Sequence, residues 1–234
     1  MRRVRCCGII WRVISVVMPV LNEEKLIERS LQVLAGRPGL ELIVVDGGSV
    51  DRTVSLAARY AKVVTCTPGR AVQMNAGARE AGGEILWFVH VDTTLPSDGP
   101  DQVRAAVAEG FLGGAFSTRF DEPTLFWDLI TCLDNHRTRI FHIYFGSRAI
   151  FVRADAFWEV GGFPEIPFLE DVAFSRKLRQ AGRTVMLDAV ALESFRRFRK
   201  NGPVRQLLLD MILLGAFELG ISPWFLARLY KDVR

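Results

Sequence analysis

Four short apolar runs, separated by segments with helical spacing, most constrain what this chain can fold into. Val13-Ile14-Ser15-Val16-Val17-Met18 stops at Pro19, and Glu41-Leu42-Ile43-Val44-Val45 stops at Asp46. Val63-Val64-Thr65 is the third run, and Glu84-Ile85-Leu86-Trp87-Phe88-Val89 stops at His90. Between them, Glu23 to Leu34 sets Leu26, Ile27, Leu31 and Leu34 on one helical face. Thr53 to Ala61 and Ala71 to Ala81 read as two further helices. Strands that are apolar on both sides need cover on both faces, which predicts a mostly parallel sheet flanked by helices. Such sheets bind ligands beyond the carboxyl ends of their strands. The residues just after each strand are therefore the ones to watch: Asn22-Glu23, the stretch Asp46 to Asp51, and His90-Val91-Asp92.

At 234 residues the chain fits one large α/β domain, here bounded at 13–202. Half of its residues are apolar and 16 are Phe, ample for a core and unlike a disordered chain. The net charge of +4 is modest, but it is concentrated at Met1–Arg5 and Arg196–Lys200. No recognised nucleic-acid motif accompanies these clusters, so nucleic acid is not the expected partner. Cys6, Cys7, Cys66 and Cys132 are scattered without metal-ligand spacing, as free thiols in a reducing cytoplasm would be. The opening residues mimic a secretion signal, yet Arg12 interrupts the apolar stretch and no small-residue cleavage site follows. Residues 1–12 are set apart as an extension. Residues 203–234 form a C-terminal apolar helical segment, interrupted by Asp210, Glu218 and Pro223 and so unsuited to span a membrane. Two readings stay open for it: a buried helical hairpin, or an element lying on a membrane face beside the basic run.

Each of four clusters has a functional and a plainer reading. After the first strand, Asn22 either presents backbone groups to a planar base or caps a helix. In Asp46-Gly47-Gly48-Ser49-Val50-Asp51, the glycines permit close approach to a ligand. Asp46 can accept from a base or ribose, and Ser49 or Asp51 can cap the next helix. Asp92 suits a hard divalent cation, which takes one or two carboxylates plus phosphate oxygens and water; His90 can assist a transition metal. Glu170-Asp171 opens a helix running to Gln180, where the helix dipole also favours carboxylates. Adjacent residues point apart on a helix, so the pair divides its roles, Asp171 facing the acceptor and Glu170 anchoring acceptor or loop.

In their order, these clusters resemble the family-two glycosyltransferases of the GT-A fold. The motifs are Pro19-Val20-Leu21-Asn22-Glu23, Val45-Asp46-Gly47-Gly48-Ser49, Gly69-Arg70-Ala71-Val72-Gln73-Met74-Asn75-Ala76-Gly77, His90-Val91-Asp92-Thr93, Gly161-Gly162-Phe163-Pro164 and Glu170-Asp171. The third is similar to that of a small bacterial subgroup, and the resemblance runs from about residue 14 to 231. It implies a donor pocket for a nucleotide sugar lined by Pro19, Val20, Asn22, Glu23, Asp46, Gly48 and Ser49. Arg70 and Asn75 would lie toward the ribose and phosphates, with Val91 and Asp92 at the sugar-phosphate end. It also implies Mg²⁺ or Mn²⁺ at Asp92, with His90 standing where many relatives carry a first acid, and catalysis by Asp171 beside Glu170. The motif of processive polymer synthases is absent around Glu193 to Phe198, which implies transfer of one sugar. Gly146-Ser147-Arg148 departs from the Gly-Asp-Gln common in relatives.

A nucleotide-sugar donor carries its own good leaving group. The chemistry needs a metal against the growing diphosphate charge and a base for the acceptor's proton. One base and direct attack imply inversion. Arg196 or Arg197 can close on the diphosphate, since a guanidinium matches phosphate oxygens. The rivals are a sugar-phosphate nucleotidylyltransferase, which should show a glycine-rich basic loop after the first strand, and a dehydrogenase, which should show Gly-x-Gly-x-x-Gly there. A third is a binding protein without catalysis. The apolar C-terminus points to a lipid or membrane-bound acceptor and to a cytoplasmic protein peripheral on the inner membrane face.

Overall fold

The computed structural model describes residues 3–6 and 9–229. Strands β1 (Arg3–Cys6) and β2 (Ile9–Arg12) pair as an antiparallel ribbon apart from the main sheet. The main sheet has seven strands: β3 (Ile14–Val20), β4 (Leu40–Asp46), β5 (Lys62–Thr65), β6 (Ile85–Phe88), β7 (Gly113–Phe120), β8 (Phe151–Arg153) and β9 (Thr184–Glu193). Their order is β5-β4-β3-β6-β8-β7-β9. The first four are mutually parallel, β8 runs against both neighbours, and β7 and β9 are parallel again.

The continuous apolar strands have the reason expected of them. Val16, Met18 and Val20 of β3 join one core cluster, with Ile27 and Leu31 from the helix Ile27–Gln32 and Val103 and Val107 from the helix Gly99–Ala108. Val17, between them, points the opposite way. It joins Ile43, Val45 and the second cluster, where Met74 and Ala78 of the helix Arg70–Glu80 meet Phe157, Phe174 and Leu178. Helices thus cover both faces. The closest approach is at Gly77, where an added Cβ would lie 2.4 Å from Val17 Cγ1 and 2.8 Å from Val45 Cγ2.

Several expected boundaries move. β3 continues through Pro19, because Val17 carbonyl accepts from Val89 on the β6 side and β6 ends at Phe88. No partner on that side needs the N–H that Pro19 lacks. The helix expected from Glu23 begins only at Ile27, and the helix from Thr53 ends at Ala57 with turns beyond. Asn22 does not cap a helix. It sits at φ 55°, its N–H donates to Ser49 Oγ at 2.8 Å, and its Oδ1 accepts from Val50 N–H at 2.9 Å. Glu23 N–H likewise donates to Thr53 Oγ1 at 2.7 Å. These bonds tie the two strand-end loops to each other, at the expense of the first helical turn.

The C-terminal segment folds as the helices Pro203–Glu218 and Pro223–Leu229. It is not a buried hairpin: Val204, Leu208, Met211, Ile212, Trp224 and Phe225 are all exposed. Among its described residues, Leu213 and Leu226 alone of the apolar side chains are fully buried, against Phe168, Leu169 and Val172. Among the described residues no helix is long and apolar enough to cross a membrane.

Candidate active site

The carboxyl ends of β3, β4 and β6 gather the loops that the sequence singles out. Asp46, 2% exposed, accepts from Gly48 N–H and Ser49 N–H, each at 3.0 Å, and so shapes the β4 loop around Gly48 at φ 97°. Beneath it lies a residue that the strand-end argument overlooks. Gln73 is fully buried, and its Nε2 donates to the carbonyls of Val20 and Val45 at 2.8 Å each. It bolts the tips of β3 and β4 together, as a buried amide must to satisfy its hydrogens. Its signal lay within the glycine-arginine motif, where it reads as spacing.

Asn22, Glu23, Lys25, Leu26, Asp51 and Arg196 line an open cleft of about 400 Å³. Arg196 arrives from the helix Arg196–Asn201, after β9. Its Nη1 and Nη2 grip Glu23 at 2.9 and 2.6 Å, and its Nε reaches Asp92 Oδ2 at 3.0 Å. The Glu23 hydrogen bonds, above all, hold the Arg196 pKa above its ordinary value. One guanidinium therefore bridges two carboxylates from two strand-end loops. Arg197 goes elsewhere, pairing with Asp210 of the C-terminal helix. The two arginines that sequence alone treats alike are separated by the helix turn.

His90-Val91-Asp92-Thr93 forms a turn closed by Thr93 N–H on His90 carbonyl at 3.1 Å. Val91 points into the core, 5% exposed, and Asp92 keeps an open edge at 25%. Asp92 and Arg196 bear on a metal as follows. Among the described residues no group of three or more His, Cys, Asp or Glu side chains is arranged for a metal ion. A cation bound mostly by diphosphate oxygens and water needs only one or two carboxylates, which Asp92 can supply. His90 lies against Gly146 on the side of Asp171: a Cβ on Gly146 would sit 3.0 Å from His90 Nε2 and 3.4 Å from Asp171 Oδ2. Gly146 is the one residue of its triplet that keeps the Gly-Asp-Gln pattern, and the closeness of His90 and Asp171 is a reason for glycine there.

Asp171 and Glu170 open the helix Glu170–Ala181 with both carboxylates buried. Leu169 before them is left-handed at φ 60°, a strained conformation held by its packing on Leu213 and Leu226. Asp171 Oδ2 accepts from Gly146 N–H at 2.6 Å, and its Oδ1 from Val172 N–H at 2.7 Å. Burial, and then the neighbouring Glu170, push its pKa up to about 6, against the pull of Arg70 and the two N–H donors. Glu170 itself holds Arg70 Nε at 3.1 Å. Arg70 thus stands beside the two carboxylates. Asn75 is likewise committed: it donates to Phe163 carbonyl at 2.8 Å and accepts from Phe163 N–H at 3.0 Å, fixing the Gly161-Gly162-Phe163-Pro164 loop. The departures at 147 and 148 are accommodated. Ser147 Oγ donates to Glu193 at 3.0 Å, and buried Arg148 pairs with Asp134 and donates to Asn135 Oδ1 at 2.8 Å.

The electrostatics make a prediction of sign. Arg70→Ala removes the charge that lowers the Asp171 pKa, so the acid limb of a pH–rate profile will move to higher pH. Glu170→Gln removes a charge that raises it and will move the limb to lower pH. Shifts of the same sign in both variants would show that these groups do not set the limb.

Comparison with known proteins places this geometry. The family model described as "Glycosyl transferase family 2" matches residues 15–160. TarS of S. aureus superposes with a TM-score of 0.63 at 21% identity, over 78% of this chain and 36% of that one. The mannosyltransferase PcManGT from Pyrobaculum calidifontis, in complex with GDP-Man and Mn²⁺, gives 0.59 at 24% identity, over 77% and 56%. Glucosyl-3-phosphoglycerate synthase from Mycobacterium tuberculosis, with Mg²⁺ and UDP, gives 0.60 at 19%, over 90% and 79%. The chain thus spans about a third of TarS and just over half of PcManGT. At these identities the likeness is one of fold, and the fold is GT-A. No curated protein matches the sequence significantly.

Proposed function

The chain belongs to glycosyltransferase family 2, and from that premise we propose that it moves one sugar from a nucleotide sugar to an acceptor hydroxyl, with inversion and without processivity. The observation that carries the reading is Asp171. A buried carboxylate held to about 6 by its surroundings is charged at neutral pH yet basic enough to take a hydroxyl proton. Gly146 N–H fixes one oxygen of that carboxylate, and the Arg70–Glu170 pair keeps the neighbouring charge balanced. One base and one displacement invert the sugar carbon.

On the donor side, Asn22 and Glu23 line the cleft, and Pro19, Val20, Asp46, Gly48 and Ser49, in the strand ends and loop bonded to them, would take the nucleoside. Mg²⁺ or Mn²⁺ held at Asp92, with His90 as the nearest imidazole in sequence, would neutralise charge on the departing diphosphate. Arg196 holds Asp92 and Glu23 together until the donor arrives, then turns to the phosphate oxygens. The lipid-borne or membrane-bound acceptor approaches from the Asp171 side.

The test is thermal shift with a panel of nucleotide sugars and Mn²⁺. At a ligand concentration 100 times Kd, binding adds about 2.7 kcal/mol, a rise of roughly 5–10 °C for a chain of this size. Asp92→Asn should lose the part of that rise that depends on Mn²⁺. A rise in the variant equal to that in the wild type removes Asp92 from the donor site. Binding without transfer in the wild type favours the non-catalytic reading.

A further inference from the structure

The apolar side chains that the fold leaves outside follow two helices. On the helix Leu125–Phe141, the residues Phe126, Leu129, Leu133 and Ile140 are at least half exposed. On Pro203–Glu218 the same holds for Val204, Leu208, Met211 and Ile212, and the next helix adds Trp224 and Phe225. In each long helix these positions recur every three, four or seven residues, a single stripe turned away from the domain. Both helices are anchored on one aromatic cluster: Trp127 belongs to it, and Ile130 of the first and Leu207 of the second pack against it, so both stripes border the same part of the domain. Exposed apolar stripes of this kind mark a contact surface.

Charge identifies the occupant. From residue 196 to 229, Arg196 pairs with Glu23 and Asp92, Arg197 with Asp210 and Arg199 with Glu122, and Glu218 pairs with Arg176, which leaves the exposed Lys200, Arg205 and Arg228 as the cations beside these helices. An apolar face rimmed by cations is complementary to anionic lipid headgroups over an acyl layer. A second copy of the chain would instead bring two cationic rims together. Since neither helix is long and apolar enough to cross a bilayer, the fit is to its surface.

Position ties this surface to the chemistry. Leu213 and Leu226 pack from beneath it onto Phe168, Leu169 and Val172, the residues flanking Glu170 and Asp171. We infer that the outward faces of helices 125–141 and 203–229 together form a docking surface for an anionic bilayer, seating Asp171 at headgroup level to meet a lipid-borne hydroxyl. The identity of the hydroxyl rests on the function proposed above; the docking does not.

Co-sedimentation of the full chain with vesicles tests it. Wild type should pellet with phosphatidylcholine–phosphatidylglycerol vesicles and stay in solution with phosphatidylcholine alone. Leu208→Glu/Met211→Glu, and separately Leu129→Glu/Leu133→Glu, should each weaken pelleting by roughly tenfold or more. All four sites are exposed, so each variant should keep the wild-type melting temperature and its shift with nucleotide sugar. Loss in the first variant alone would strike the 125–141 helix from the surface and overturn the joint face. Failure of wild type to pellet would overturn the proposal, as would a dimer in sedimentation velocity that the substitutions dissociate. Vesicle binding without any response to nucleotide sugar would sink the donor reading and leave the docking surface standing.

Discussion

Asp171→Asn will lower the rate of sugar transfer by about 10³-fold, within the range that a positioned general base contributes. The substitution is close to isosteric. The Asn carbonyl can still accept from Gly146 N–H, so the 3-10 turn Gly146–Arg148 keeps its anchor against the helix Glu170–Ala181. Donor binding, read by thermal shift with Mn²⁺, should stay at the wild-type level while kcat collapses. That split separates loss of a base from loss of a fold. The wild-type enzyme supplies the matching pH dependence. With its carboxyl pushed up to about 6, Asp171 takes up a proton as pH falls through that value. Transfer should therefore decline below about pH 6 and level off above it. Transfer by Asp171→Asn within about tenfold of wild type would move the base elsewhere.

A clear loss of stability is expected at Gly77. Alanine is the better helix former by about 1 kcal/mol, so on propensity alone Gly77→Ala would stabilise the helix Arg70–Glu80. Sterics oppose this more strongly. The new methyl would lie 2.4 Å from Val17 Cγ1 and 2.8 Å from Val45 Cγ2, both fully buried in central strands that cannot retreat. Overpacking of this kind costs about 1–3 kcal/mol and sometimes more. At the upper end of that cost, less the gain in helix propensity, a net loss of about 2 kcal/mol should lower Tm by roughly 4–8 °C for a domain of this size. The effect should also reach the donor cleft, because the same helix carries Gln73, which holds the ends of β3 and β4. An unchanged Tm would mean that the helix can slide outward, leaving Gln73 to hold it less firmly than the geometry implies.

Where the sequence was not legible, contacts between residues far apart in the chain were the reason. The helix expected from Glu23 starts only at Ile27, because loop-to-loop hydrogen bonds hold Asn22 and Glu23, whereas the helix from Thr53 starts where expected and ends early, at Ala57. Arg196 and Arg197 look equivalent in sequence, but a helix sends consecutive side chains about 100° apart. One therefore meets Glu23 and Asp92 and the other Asp210. Arg70 and Asn75, expected toward the ribose and phosphates, are seen bonded to Glu170 and to the Phe163 loop. Gly146 stands out in sequence only as part of a triplet, because the approach of His90 and Asp171 that crowds it comes from distant elements.

The sequence by itself determined the layered α/β plan and the places where function gathers. The period of apolar residues along a strand or helix is a local property, and strand-end polar residues follow it directly. The tertiary structure alone decided that Arg196 bridges Glu23 and Asp92, and that His90 and Asp171 meet at Gly146. It also decided that the C-terminal helices expose their apolar faces rather than bury them. These depend on distances between residues far apart in the chain. Burial, strain and the raised Asp171 pKa are set by such distances, and no periodicity encodes them.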